Sequence, residues 1–177
     1  MAGLPPGAVE HLNKHVAVMN AAKGSILIKQ GQRCNHIYFI EKGFARIFSI
    51  IDGKDITVLF AGENDIITST YALFTQNSSN ENVEVLEDSI LLKINYEKFV
   101  NLCKEHPDLF ELYRFIMEKY YLALEERTLS LQFDSALERY RKLLSRHSSI
   151  LQRASLGSIA SFLGMSQVTL SRMRAQI

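Results

Sequence analysis

Between Lys23 and Tyr96 the apolar residues come in short runs separated by glycines and polar turns, and this confines the first half of the chain to strands. The runs are Ile26 to Ile28, Ile37 to Ile40, Ala45 to Ile51, Ile56 to Phe60, Val83 to Leu86 and Ile90 to Ile94. They are rich in β-branched and aromatic side chains, which suit a pleated, half-buried surface. Lys23-Gly24, Gln30-Gly31 and Lys42-Gly43 punctuate them, and Asp52-Gly53 falls between two apolar runs. Asp-Gly supplies the positive φ angles of a two-residue hairpin turn, so it is the strongest local signal in this half. Many short strands with regular turns predict a small β-barrel or jelly roll.

After Tyr96 the period changes. From Pro107 onward Leu109, Leu112, Ile116, Tyr120, Ala123, Arg127 and Ser130 follow helical spacing, and the first half of that stripe is apolar. We read Leu109, Leu112, Ile116, Tyr120, Ala123 and Arg127 as the seam of a helix that pairs with a second copy. Phe115 and Leu122 lie on another face, available to pack on the barrel. A further helix starts at Ser135, where Ser135 and Glu138 can form a capping box. The hinge is placed at Leu131–Asp134. The expected division is therefore a strand domain over residues 1–106, a long helix and hinge over 107–133, and a helical domain over 134–177.

Charge changes sign at the same place. Residues 1–133 carry 13 Lys/Arg against 17 Asp/Glu, a balance of −4. Residues 134–177 carry 7 against 2, a balance of +5, which points to a polyanion-binding end. Within that end Ser155 can cap a helix bearing Ile159, Ala160 and Leu163 inward, and Gly164 can stop it. Met165 plugs inward. Ser166 can cap a second helix with Leu170, Met173 and either Val168 or Thr169 on its inner side. Helix, glycine turn and capped helix with apolar residues at the crossing is the order of a helix-turn-helix. The outward residues suit DNA: Arg172 can bond guanine O6/N7, Gln167 adenine N6/N7, and Val168 a thymine methyl. Ser166 and Thr169 suit phosphate, with Ser171 and Arg174 also facing outward.

Strands, long helix and terminal helix-turn-helix in this order resemble the cyclic-AMP-receptor/FNR family over nearly the whole chain. The resemblance rests most on Tyr38-Phe-Ile-Glu-Lys-Gly43, Leu59-Phe-Ala-Gly-Glu-Asn-Asp-Ile66 and Gly164-Met-Ser-Gln-Val-Thr-Leu-Ser-Arg172. It implies an α+β bacterial transcription regulator with a cyclic-nucleotide-binding-like β-roll (a double-stranded β-helix), a long dimerisation helix and an all-α helix-turn-helix. The family's DNA-touching positions fall on Ser166, Gln167, Val168 and Arg172. The partners it implies are double-stranded DNA with a palindromic operator and a second copy of the chain, with RNA polymerase as a candidate further partner.

Two departures qualify the resemblance. Cyclic-AMP-binding members carry a Gly-Glu pair and an arginine pair that hold ribose and phosphate. Here Thr68 and Ser69 replace the first, and Ser79, Asn80, Glu81 and Asn82 the second. No Lys or Arg occurs between Lys54 and Lys93, while seven acidic residues do. Burying a phosphate without a cation is costly. Cyclic AMP is therefore disfavoured, unless Lys29, Arg33 or Arg46 reaches in from another strand; Thr68, Ser69, Thr70, Ser79, Asn80 and Asn82 are the candidate lining of a recess for an unidentified effector. The second departure is at the end: the chain stops at Ile177, with no room expected for the family's β-hairpin wing.

No cofactor or metal is expected. Cys34 and Cys103 do not supply the roughly four thiolates of an iron–sulfur sensor, nor a disulfide framework. Haem would need Cys34, His36 or His106 as axial ligand, and each reads better as an ordinary structural residue. His11 and His15 have a metal-compatible spacing but no evident third ligand, and the five histidines form no enzyme-like cluster. An enzyme is not expected. No run approaches the roughly 18 apolar residues of a membrane span, and Met1 to Val16 does not read as a secretory signal, so a cytoplasmic location is expected. The competing reading is a cyclic-nucleotide-like regulatory or protein-interaction module that no longer reads DNA.

Overall fold

The computed structural model describes residues 12–175. Eight strands form two antiparallel four-stranded sheets. The first has the order β1-β8-β3-β6, with β1 Ala17–Ala21, β3 His36–Lys42, β6 Ile66–Ile67 and β8 Ser89–Asn95. The second has the order β2-β7-β4-β5, with β2 Ile26–Ile28, β4 Ala45–Ile51, β5 Lys54–Ala61 and β7 Asn82–Val85. The two sheets enclose Ile37, Ile40, Ala45, Ile47, Ile67, Val83, Val85, Leu91 and Ile94, all nearly inaccessible to solvent. The β4–β5 turn has Asp52 at φ 50° and Gly53 at φ 74°, the two positive angles that an Asp-Gly hairpin demands.

Seven helices accompany the sheets among the described residues. α1 Thr70–Thr75 follows β6, and α2 Tyr96–Glu105 leaves β8 with Asn95 accepting a cap bond from the Lys98 N–H. α3 Pro107–Phe133 has proline in its first turn, where the missing N–H is not needed, and at 27 residues it is about 40 Å long. It remains helical through Phe133, so the break expected over Leu131–Asp134 narrows to Asp134 and Ser135. α4 Ala136–Arg146 opens on a capping box between Ser135 and Glu138. α5 Ile150–Arg153, α6 Leu156–Phe162 and α7 Gln167–Arg174 complete the chain.

The two faces of α3 are exchanged relative to expectation. Leu109 and Leu112 are buried in the roll's core, and Ile116 packs against it. Tyr120 bonds to Thr70, Ala123 is half-buried, and Arg127 donates to the Thr57 and Phe162 carbonyls. The stripe expected to face a second copy thus faces the chain's own body. Phe115 and Leu122, expected on the roll, are 61% and 58% exposed. Both stripes have helical spacing and apolar members, and spacing alone does not say which partner each will find.

A second core joins the helices to the outer face of the β2-β7-β4-β5 sheet. Phe44 and Phe60 project from the sheet into a cluster with Tyr140, Leu143, Ile150, Ile159, Leu163, Leu170 and Met173. The helices after residue 134 are therefore seated on the strands and share a core with them. The absence of a wing concerns residues after Ala175, and His11 of the His11/His15 pair precedes residue 12; both lie outside the described residues.

Gly43 has φ +118°, and a Cβ built there would lie 2.9 Å from the Ser89 Cα and 2.1 Å from its Oγ. Gly24 has φ +82° with open space around it. Gly43→Ala should therefore lower unfolding stability by about 2 kcal/mol or more, from backbone strain and overpacking together. Gly24→Ala should lose only about 1 kcal/mol, from strain alone. Denaturant midpoints at unchanged m-value check the contrast, and equal losses would contradict it.

Candidate nucleic-acid interface

α6 and α7 form the crossing read from the sequence. Ser155 Oγ accepts the Ser158 N–H, and Ser166 Oγ accepts the Thr169 N–H, so each helix starts on a serine cap. Gly164 takes the left-handed conformation at φ 63°, and the Met165 N–H donates to the Ala160 carbonyl behind it. Ile159, Ala160, Leu163, Leu170 and Met173 fill the crossing. Thr169 takes the inner side and Val168, 61% exposed, the outer one.

The outer surface of α7 presents Gln167, Val168, Ser171, Arg172 and Arg174, with Ser166 exposed at its start and Thr169 half-buried. Arg172 and Arg174 enter no ion pair with the described residues, in contrast to Lys142, Arg146 and Arg153 of the helical unit. Lys142 pairs with Asp134 at 2.7 Å, Arg146 with Glu126, and Arg153 with Glu63 at 2.7 Å and Glu87 at 2.6 Å. Arg139 donates to the Leu163 and Asp134 carbonyls. Part of the +5 balance is thus neutralised within the protein, while the two arginines of α7 form no ion pair with the described residues.

Three arginines fix the helix pair to the roll. Arg46 on β4 is buried; it donates to both Asp55 oxygens at 2.7 Å and to Glu84 at 2.8 Å, lies over the Phe48 ring, and reaches Ser158 of α6 at 3.1 Å. Burial opposes its charge, but the two carboxylates outweigh that and hold it cationic. Arg153 lies over the Phe44 ring, and its guanidinium holds Glu63 down at about 2. Arg127 on α3 stacks on Phe162 and donates to the Thr57 and Phe162 carbonyls; burial lowers its pKa, and its Nε finds no partner among the described residues. Ser161 of α6 completes the seat by donating to the Asp55 carbonyl and accepting the Thr57 N–H, both at 3.0 Å, along the edge of β5.

The candidate effector recess only partly assembles. Ser79 Oγ donates to the Glu81 carbonyl at 2.7 Å and lies 3.0 Å from Ser69 Oγ, which approaches the Glu81 carboxylate at 3.4 Å. Thr70 brings in Tyr120 from α3, and Thr68 Oγ1 donates to the His36 carbonyl beside Cys34. Asn80 and Asn82 do not join them. Asn80 is exposed, and Asn82 exchanges bonds with Gln30. Nor do the cations proposed to reach in: Arg46 is committed to Asp55 and Glu84, and Lys29 and Arg33 are exposed.

Glu81, which stands in the segment replacing the arginine pair but was not among the candidate lining, is instead the group the recess closes on. Ser79, Asn80 and Glu81 lie at a bend before β7, so no strand alternation announces which of them turns into the recess. Glu81 enters no ion pair with the described residues, and burial pushes its carboxyl above the ordinary 4.5, against a smaller opposing effect of Ser69. Burial also raises Tyr120, with the Glu81 charge adding to it. Among the described residues no three His, Cys, Asp or Glu side chains gather as a metal site, and no helix is long and apolar enough to cross a membrane.

An acid whose pKa is raised on folding supports the fold while protonated and withdraws that support as pH rises through the folded value. Glu81→Gln should therefore melt close to wild type at about pH 4 and progressively above it as the pH rises to about 8. A melting difference that does not change with pH would show that folding leaves the Glu81 carboxyl at its unfolded value.

Residues 18–106, half of the chain, match the family model of the cyclic nucleotide-binding domain. No curated protein matches the sequence. Among solved structures, FixK2 from Bradyrhizobium japonicum superposes with TM-score 0.79 at 16% identity, covering 91% of this chain and 83% of its own. CLP from Xanthomonas campestris, described as a c-di-GMP responsive global regulator, gives 0.77 at 16% identity, covering 97% and 91%. A protein from Eubacterium rectale described as a transcriptional regulator of the crp/fnr family gives 0.73 at 17% identity, covering 96% and 82%. At such identities the likeness to these structures is one of fold. The chain belongs to the cyclic nucleotide-binding domain family and carries, over nearly its whole length, the fold of Crp/Fnr regulators.

Proposed function

We propose that the chain is a sequence-specific DNA-binding transcription regulator that works as a homodimer. The observation that carries this reading is the outer surface of α7, a serine-capped helix whose Gln167, Val168, Ser171, Arg172 and Arg174 are exposed while its inner side is buried. A capped helix held by its apolar side and presenting polar and basic residues outward suits entry into a major groove, N-terminus first. In this reading Arg172 bonds guanine, Gln167 adenine and Val168 a thymine methyl. Ser166, Ser171 and Arg174 face the phosphates, while Thr169, on the inner side, is hydrogen-bonded to the Ser166 hydroxyl instead.

The second copy belongs on the exposed face of α3. Phe115, Leu122 and Leu129 recur at seven-residue spacing and are 61%, 58% and 48% exposed, with Phe133 beyond them at 77%. A seven-residue apolar repeat is the pattern of a helix that packs along another helix. This replaces the seam drawn through Leu109 and Leu112. A palindromic operator follows from the two-fold axis, and the relatives of like fold that are described as regulators support the reading by analogy.

The β-roll recess has no phosphate-binding character in this reading. Where a cyclic nucleotide would need a cation, the recess holds the Glu81 carboxyl with Ser69 and Ser79 closed upon it. Cyclic AMP is not the effector, and DNA binding proceeds without it.

Selection of bound duplexes from a random pool by the purified chain, at moderate salt and without added ligand, tests the assignment. The expected result is a palindrome with half-sites about one helical turn apart, and binding that weakens steeply with salt. Recovery of no enriched duplex would overturn ligand-free reading. Arg172→Ala should relax the preference at one position of each half-site by about 1–3 kcal/mol. An equal loss on all sequences would reduce Arg172 to a phosphate contact.

A further inference from the structure

Gly157 is the second residue of α6, and its φ is not positive, so the backbone there does not require glycine. Glycine in a helix is less stable than alanine, because more conformational freedom is lost on ordering it. Its presence needs another reason. A Cβ built at Gly157 would lie 2.9 Å from Gln167 Nε2 and 3.8 Å from Gln167 Cδ, with Ser155 Oγ at 3.7 Å. The carboxamide of Gln167, the first residue of α7, thus rests in the space that the missing side chain leaves at the start of α6.

We propose that Gly157 is a specificity-determining position, whose absent side chain seats the Gln167 carboxamide and so sets the base that α7 prefers at that point. The proposal rests on α7 being the DNA-reading helix. Gln167 is exposed and free to adopt many rotamers unless something narrows the choice. A long polar side chain ordered before binding loses less entropy when it meets the base. The carboxamide offers both a donor and an acceptor, which adenine N6/N7 requires together, and this pairing works only at a defined orientation. Gly157 acts through Gln167 and touches no base itself.

A methyl group at residue 157 would meet the far end of a flexible side chain, with no backbone among its close neighbours. Gly157→Ala should therefore fold, with the carboxamide displaced from its seat. The experiment uses the full chain as wild type, Gly157→Ala, Gln167→Ala and the double variant. Each is melted and then titrated with the duplex selected by wild type and with duplexes altered at single positions.

Gly157→Ala should melt at or above wild type and bind the selected duplex about 2- to 10-fold more weakly, the range of one unordered side chain. Its base preference should flatten at the position Gln167 reads and stay intact at the one Arg172 reads. In the Gln167→Ala background the same change should have no effect on DNA binding, since the pair acts as a unit. A loss of equal size in that background, or an unchanged preference at the Gln167 position, overturns the proposal while leaving α7 as the reading helix. If wild type enriches no duplex, the DNA-reading assignment fails and this proposal falls with it.

Discussion

The outward pair Phe44 and Phe60, on the face of the β2-β7-β4-β5 sheet, is the contact on which the rest of the molecule depends. Their rings stack at 5.7 Å, and Phe60 meets Phe162 of α6 at 5.3 Å. Each is 2–4% exposed, and burial of a side chain of this size contributes about 1.5–3 kcal/mol. α6 and α7 together have fifteen residues, too few to enclose a core alone. They acquire one by closing over the aromatic pair with Tyr140, Leu143 and Ile150. Arg46 and Arg153 then fix the angle of that seat. Removing one member of the buried Arg46 node would strand a charge, although ionic burial of this kind is weak as a source of net stability. Its main effect is on orientation.

α3 touches everything that a signal would have to connect. Tyr120 closes the Ser69–Ser79–Glu81 recess, Arg127 bonds to β5 and α6, and Leu131 packs over Gly164 in the turn before α7. The apolar stripe Phe115–Leu122–Leu129 faces out on the same helix. A change in the recess that shifted α3 would therefore alter the seat of α7 and the exposed stripe together. Such coupling requires two discrete arrangements of α3. Burial disfavours the charged form of the Glu81 carboxyl beside Tyr120, so this is the point of the recess most sensitive to a change in charge.

What was legible in the sequence follows the local rules, and what was not depends on partners. Asp52-Gly53, Ser135, Ser155, Gly164 and Ser166 announced turns and caps because a side chain or a positive φ specifies each of them within a few residues. β1 and β6 escaped notice, since β1 is largely exposed without clear alternation and β6 has two residues. α1 escaped notice as well: Tyr71 to Phe74 are apolar, but six residues are too few to show a helical period. The faces of α3 were drawn the wrong way round because both carry apolar stripes. The recess lost Asn80 and Asn82 because Asn80 lies exposed in a bend and Asn82 bonds to Gln30, a long-range partner that local pattern does not reveal. The seat of the helical unit did leave a trace: every residue of Phe44-Ala-Arg-Ile-Phe48 except Arg46 is apolar, as in a strand covered on both faces.

Charge pairing across the seat bears on how such a protein could hold DNA. The helical unit looks strongly basic as a sequence, yet Lys142, Arg146 and Arg153 face carboxylates of their own chain, two of them on the roll. The field left to attract a phosphate backbone comes mainly from Arg141, Arg172 and Arg174, none of which is ion-paired with the described residues. With few phosphate contacts per copy, nonspecific attraction is weak, since each neutralised phosphate adds its own share of counterion release. In the proposed homodimer, affinity would come from base contacts made by two copies at once, where the second engagement is intramolecular and gains an effective concentration. That places unusual weight on the rigidity of the few side chains that reach the bases, and on the rigid seat that holds the helix carrying them.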